Sequence, residues 1–157
     1  MKPLVYVETS VVSYLSARRS ADPIVAGRQL LTQQWWALRE RFDCCTSVLV
    51  YQEAQQGSPI MAAKRAVLLD TLRTLAPSPS MDALAQALIR AAALPAKALQ
   101  DAEHIALAAI HNVPYLVTWN FRHIANPVTS GKIDAVLRLM GLTPPVLCSP
   151  DVLLDLE

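Results

Sequence analysis

Short continuous apolar blocks alternate along this chain with longer stretches in which apolar residues recur at helical spacing. The first block, Leu4 to Val7, is β-branched and aromatic with no polar alternation, so it reads as a strand buried on both faces. It runs straight into Glu8. A short helix follows from Thr9 to Ala17, then the polar loop "ARRSADP". There Asp22 reads as an N-cap and Pro23 as the first residue of a long helix reaching about Arg41. Phe42 to Ser47 reads as a second strand, passing into a helix that carries Glu53 and ends at Gly57. Ser58 and Pro59 open another helix, to about Leu72.

The stretch "LAPSP", residues 75–79, reads as extended, with a strand as one option. Ser80 or Asp82 starts an alanine-rich helix to about Ala93, and a further helix covers Ala98 to His111, stopped by Asn112 and Pro114. "PYLVTWN" is a short apolar strand that again ends in a polar group. A helix from Thr129 to Met140 stops at Gly141, "PPVLCS" is a last strand, and Ser149-Pro150-Asp151 opens a terminal helix. Strands alternating with helices predict an α/β fold with a parallel sheet covered on both faces, as one domain over residues 1–157.

Composition supports a globular chain and excludes several classes. Of 157 residues, 53% are hydrophobic and 17% charged, which rules out disorder and implies a sizeable core. A net charge of +1 means that any nucleic-acid contact must come from a local patch. Three cysteines in no framework spacing, Cys44, Cys45 and Cys148, point to free thiols in a reducing compartment. The expected location is the cytoplasm, because Met1-Lys2 leads directly into a strand and no apolar run spans a bilayer. With four glycines there is no Walker-type or dinucleotide fingerprint.

Ligand sites in open parallel sheets form beyond the carboxyl ends of the strands. Glu8 stands at such an end, Glu53 lies on the helix after the second strand, and Asn120 ends "YLVTWN". Asp101, in the first turn of the helix feeding that strand, joins the same edge if that helix runs antiparallel to the strand. Like charges 4 Å apart repel by ~4 kcal/mol at an effective dielectric of about 20, so clustered acids take up protons or cations. Oxygen donors with little histidine suit Mg²⁺ or Mn²⁺, ions that can activate water and stabilise a phosphoryl transition state. Taken singly, Asp101 also fits a helix-dipole role, Glu53 a solvated helix position and Asn120 a turn. Glu8 is the residue that packing does not account for.

The blocks "VYVETS", "VYQEAQQG", "DAEHIALAAIHNVPYLVTWN" and "FRHIAN" resemble the PIN domain, in its VapC-like toxin branch, in motif order over nearly the whole chain. The resemblance implies a three-layer α/β/α sandwich with a central parallel sheet, and a Mg²⁺- or Mn²⁺-dependent ribonuclease. Its acids fall on Glu8, Glu53 and Asp101, and its fourth acidic position falls on Asn120. Thr9, Ser10 and Thr118 match hydroxyl positions that orient the acids or their waters. Two positions depart from the pattern. The first acid is Glu where Asp is usual, and Asn120 brings no charge. The resemblance also implies an RNA substrate, an antitoxin partner and a homodimer.

Other candidates surround this set. His104, three residues after Asp101 on the same helix face, fits either metal or phosphate support or a buried hydrogen-bonded ring. His123 and Arg122, just past the pocket edge, fit contact with a substrate phosphate or a simple loop role, and His111 suits a helix C-terminus. Arg18 and Arg19 are candidates for RNA phosphates, or a solvated charge pair. Trp35 and Trp36 fit base stacking, core packing or a dimer face. The expected function is RNA phosphodiester hydrolysis by a metal-dependent toxin. The alternative is a PIN-fold module, weakened in catalysis, that binds RNA or a partner protein. A hydrolase of small phosphate esters is a third option that the residues leave open.

Overall fold

A computed structural model describes residues 1–156. The elements are β1 (Leu4–Val7), α1 (Thr9–Ser16), α2 (Pro23–Ala37), β2 (Asp43–Thr46), α3 (Val48–Ala54) and α4 (Pro59–Leu69). They continue with β3 (Arg73–Thr74), α5 (Met81–Arg90), α6 (Leu99–Ile110), β4 (Tyr115–Val117), α7 (Ser130–Leu139) and β5 (Val146–Cys148). Short 3₁₀ turns occupy Arg39–Arg41, Ala96–Ala98 and Pro150–Leu153.

All five strands run parallel in the order β3-β2-β1-β4-β5. Val5, Tyr6 and Val7 of the central strand are fully buried, as an apolar run without alternation requires. Each such side chain contributes roughly 1.5–3 kcal/mol by leaving water. The connections from β1 to β3 move one way across the sheet, and those from β3 to β5 move back. Right-handed crossovers therefore put α1 to α4 on one face and α5 to α7 on the other. Contacts follow that division: α1 packs on α2, α3 and α4, and α5 on α6 and α7. The expected three-layer α/β/α sandwich is the observed fold.

Local chemistry sets the boundaries. Asp22 caps α2, its Oδ1 accepting from Ile24 N at 2.8 Å and Val25 N at 3.3 Å, with Pro23 first in the helix. Gly57 (φ +84°) and Gly141 (φ +77°) lie in the left-handed region just past α3 and α7. The long second helix stops at Ala37, short of Arg41, and a 3₁₀ turn carries the chain to β2. The third strand precedes the 75–79 stretch. Leu75 N still donates to Thr46 O at 2.8 Å, but Pro77 and Pro79 have no N–H with which to extend the ladder. After β5 the chain makes only a 3₁₀ turn instead of a terminal helix.

The base-stacking option for Trp35 is corrected here. Its ring is fully buried against Phe42 (centroids 6.0 Å apart) and is part of the core. Trp36 is half-buried beneath the Arg39 guanidinium, 4.8 Å from the ring centre. Cys44, Cys45 and Cys148 are free thiols, and burial pushes each up to about 12. Among the described residues no helix is long and apolar enough to cross a membrane.

Candidate active site

The sheet order changes direction between β1 and β4, and in parallel sheets the crevice for a ligand opens beyond the strand ends at such a point. Glu8 stands there, with only 4% of its surface exposed. It is the N-cap of α1. One carboxylate oxygen, Oε2, accepts from Ser10 N at 3.0 Å, from the Ser10 hydroxyl, and from Thr118 Oγ1 at 2.8 Å across from β4. Ser10 Oγ also takes the backbone N–H of Trp119 at 2.8 Å, tying the start of α1 to the end of β4. Glu8 Oε1 has no hydrogen-bond partner among the described residues, and the side chain lines an open groove of about 640 Å³. The carboxylate is thus held by one oxygen and left available through the other.

Glu53 reaches the same groove from α3, which Ser47 caps through its hydroxyl and Val50 N at 3.4 Å. Its Oε1 contacts His104 Nε2. His104, on α6, is fully buried, and its other nitrogen, Nδ1, lies 2.7 Å from the Tyr6 hydroxyl. That hydroxyl is in turn 2.7 Å from Ser47 Oγ. Burial lowers the proton affinity of the His104 ring, but the hydrogen bond to Glu53 and the charges of Glu8, Glu53 and Asp101 outweigh it, and the net shift is upward. Burial, with the Glu8 and Glu53 charges adding to it, holds the Tyr6 phenol well above its ordinary value despite the Ser47 bond. One donor atom each from Glu8, Glu53 and His104 lies within 4.8 Å of the other two. Ligands of a single divalent ion lie at such separations. Thr9 Oγ1, on the same groove, is buried without a partner among the described residues. The residues present fit a cation.

Asp101 and Asn120 stand one step to the side. Asp101 Oδ2 pairs with His123 Nδ1 at 2.9 Å, both side chains being mostly buried. Asn120 Oδ1 accepts the backbone N–H of His123 at 3.0 Å, and Asn120 N donates to Thr118 Oγ1 at 2.9 Å. Both residues therefore organise the "WNFRH" turn. Their remaining polar atoms, Asp101 Oδ1 and the Asn120 amide nitrogen, have no partner among the described residues.

The arginines separate. Arg18 lines the groove with Glu8 and Glu53, whereas Arg19 lines a neighbouring hollow with Gly27 and Leu30. Arg122 is exposed beside His123. His111 is bonded to Ala76 O at 2.8 Å, at the C-cap of α6. Some neighbours of the site escaped the sequence reading. Tyr6 and Ser47 look like ordinary strand and cap residues, and only the β1–β2 register brings them to His104. Arg28 lies over the rings of Trp119 (5.5 Å) and Phe121 (5.2 Å), and Tyr14 meets Trp119 edge-on. A polar residue every turn or so on α2 carries no signal of that packing.

The fold has a solved counterpart. VapC20 of Mycobacterium tuberculosis, described as a sarcin–ricin loop cleaving toxin, superposes with a TM-score of 0.57 at 17% identity, over 76% of this chain and 92% of that one. The PIN-like fold expected from the motifs is thereby borne out. No family model matches the chain, and no curated protein matches it either.

Proposed function

We propose that this chain is a Mg²⁺- or Mn²⁺-dependent endoribonuclease that hydrolyses RNA phosphodiester bonds, and that it is the toxin of a type II toxin–antitoxin pair, dimeric and cytoplasmic. The observation that carries this reading is the convergence of Glu8, Glu53 and His104 at the β1/β4 switch point. The fold is one used by a toxin described as cleaving the sarcin–ricin loop. Glu8 and Glu53 would hold the ion, with Asp101, through the oxygen His123 leaves free, and Asn120 contributing from the side. A bound divalent ion there supplies activation of the attacking water and neutralises charge on the phosphate. The chain's own residues do the rest. Ser10 and Thr118 fix the Glu8 carboxylate through Oε2 and leave Oε1 without a partner among the described residues, and Arg18 meets the RNA backbone along the groove. The His123–Asp101 pair holds the loop after β4 against α6.

A second reading has its own support. Asn120 carries no charge, its oxygen is taken by the backbone, and Asp101 is already paired with His123. Both features suit a module that binds RNA or a partner protein without cutting it. End-labelled RNA incubated with Mn²⁺ or Mg²⁺ separates the two. Ion-dependent cleavage, stopped by chelator and abolished in Asp101→Ala, is the expected result. RNA binding that needs no ion and yields no product overturns the nuclease reading in favour of the module.

A further inference from the structure

We propose that His104 is a nitrogen ligand of the ion at this centre, presented by the Tyr6–Ser47 hydroxyl pair, so that the site prefers Mn²⁺ and related first-row ions to Mg²⁺. The inference rests on the metal-dependent reading above and adds to its oxygen donors.

Position argues first. The ring is fully buried, yet one of its nitrogens falls within 4.8 Å of carboxylate oxygens from both Glu8 and Glu53. Glu8 Oε1 has no partner among the described residues, and Thr9, which lines the same groove, has its Oγ1 buried without one. Carboxylate oxygens gathered so tightly need a positive charge among them, which the protonated His104 ring supplies in the ion-free protein and a cation would supply on displacing that proton. Asp101 Oδ2 does not fill that place, since it is engaged by His123.

The other side of the ring argues second. A histidine that ligates through one nitrogen donates the N–H of the other to a fixed acceptor, which sets tautomer and orientation. Nδ1 of His104 has such a partner, the Tyr6 hydroxyl at 2.7 Å. To accept from Nδ1–H, Tyr6 keeps a lone pair toward the ring and turns its own hydrogen elsewhere. Ser47 Oγ, 2.7 Å away, receives it. The chain Nδ1–H to Tyr6 O, then Tyr6 O–H to Ser47 Oγ, fixes the ring with Nε2 toward Glu53, to which Nε2–H donates in the ion-free protein; an ion takes the Nε2 lone pair by displacing that proton. Both hydroxyls are deep in the fold between β1 and β2, so this orientation belongs to the scaffold.

Selectivity follows from the donor type. Mg²⁺ takes oxygen ligands, keeps several waters and gains little from imidazole. First-row ions accept imidazole, with affinity rising from Mn²⁺ toward Co²⁺ and beyond.

The test uses the full chain and the metal ions alone. Mn²⁺ is titrated by calorimetry beside Mg²⁺, and the Mn²⁺-loaded protein is examined by pulsed electron paramagnetic resonance for nitrogen coupling. Binding of Mn²⁺ at least about ten-fold tighter than Mg²⁺, with an imidazole nitrogen coupled to the ion, is expected. His104→Gln should lose the coupling and the preference together, and Tyr6→Phe should weaken Mn²⁺ by roughly 10–100-fold. Mn²⁺ bound without nitrogen coupling in the unaltered protein overturns the inference and leaves an all-oxygen nuclease site standing. Coupling that persists in folded His104→Gln overturns it as well. Failure of the unaltered protein to bind any ion removes both this inference and the metal-dependent reading.

Discussion

Glu8→Gln separates two accounts of the same carboxylate, as a helix cap or as an ion ligand. In the ion-free protein, at a pH high enough for the His104 ring to be neutral, the carboxylates of Glu8 and Glu53 bring oxygens within 4.8 Å of each other. At that distance and an effective dielectric of about 20, their repulsion is roughly 3.5 kcal/mol. The Gln carbonyl still accepts from Ser10 N, Ser10 Oγ and Thr118 Oγ1, but as a neutral acceptor. Going from charged to neutral costs about 1 kcal/mol for each of these three bonds. The two effects nearly cancel, and the amide N–H₂, placed where Oε1 was, faces Glu53 favourably. The ion-free variant should therefore lie within about 1 kcal/mol of the parent.

The ion splits them. At a hundred times its dissociation constant a ligand stabilises the parent by about 2.7 kcal/mol. For a chain of this length that raises the melting temperature by roughly 5–10 °C. Glu8→Gln should show little of that rise. Urea titration without metal, followed by thermal melts with increasing Mn²⁺, reads both quantities. Two outcomes refute the reasoning. If ion-free Glu8→Gln loses more than about 2 kcal/mol, the charge is there for the cap. If it keeps the parent's full Mn²⁺ shift, Glu8 is no ligand.

Further expectations concern pH and salt. His104 holds its proton further up the pH scale than its ordinary value of 6.5, so its contribution is complete below that value and is lost as pH rises through the raised one. Urea midpoints of the ion-free protein should fall as pH rises above His104's ordinary value, and the part owed to His104 should vanish in His104→Gln; equal slopes would refute it. Arg18→Ala should reduce the slope of log affinity for RNA against log salt by about one, with turnover at saturating RNA unchanged. An unaltered slope would place Arg18 away from the phosphates.

Strand identity and order of elements were legible because buried parallel strands write themselves as unbroken apolar blocks. "LVYV" and "YLV" are of this kind, and both became adjacent central strands. The third strand was misplaced by two residues because Arg73–Thr74 is an exposed edge pair with no apolar signature, while the prolines after it draw the eye. Glu8 was legible from its cost, since a carboxylate at the exit of a buried strand needs a reason. The hydrogen-bonded chain Ser47–Tyr6–His104–Glu53 was not. Its members are 41 to 98 residues apart in the first two links, and nothing local in "VYV" or "TSVL" marks a hydroxyl as a partner for a histidine. Residue types announce which groups can bind an ion; only topology decides which face one another.

Glu at position 8, where Asp is usual, still meets two demands of the same topology. The residue after β1 must cap α1, because the chain turns into the helix at once and Ser10 N has to be satisfied. It must also take the Thr118 hydroxyl from β4, since that contact closes the gap the strand order opens. Both demands fall on one oxygen. Oε2 meets both, and Oε1 is left without a partner among the described residues. Thr118 is then the hinge of the arrangement, for its Oγ1 donates to Glu8 and accepts from Asn120 N. Deleting that hydroxyl loosens the first acid and the turn bearing Asn120 and His123 together, so the two halves of the site answer to a single side chain.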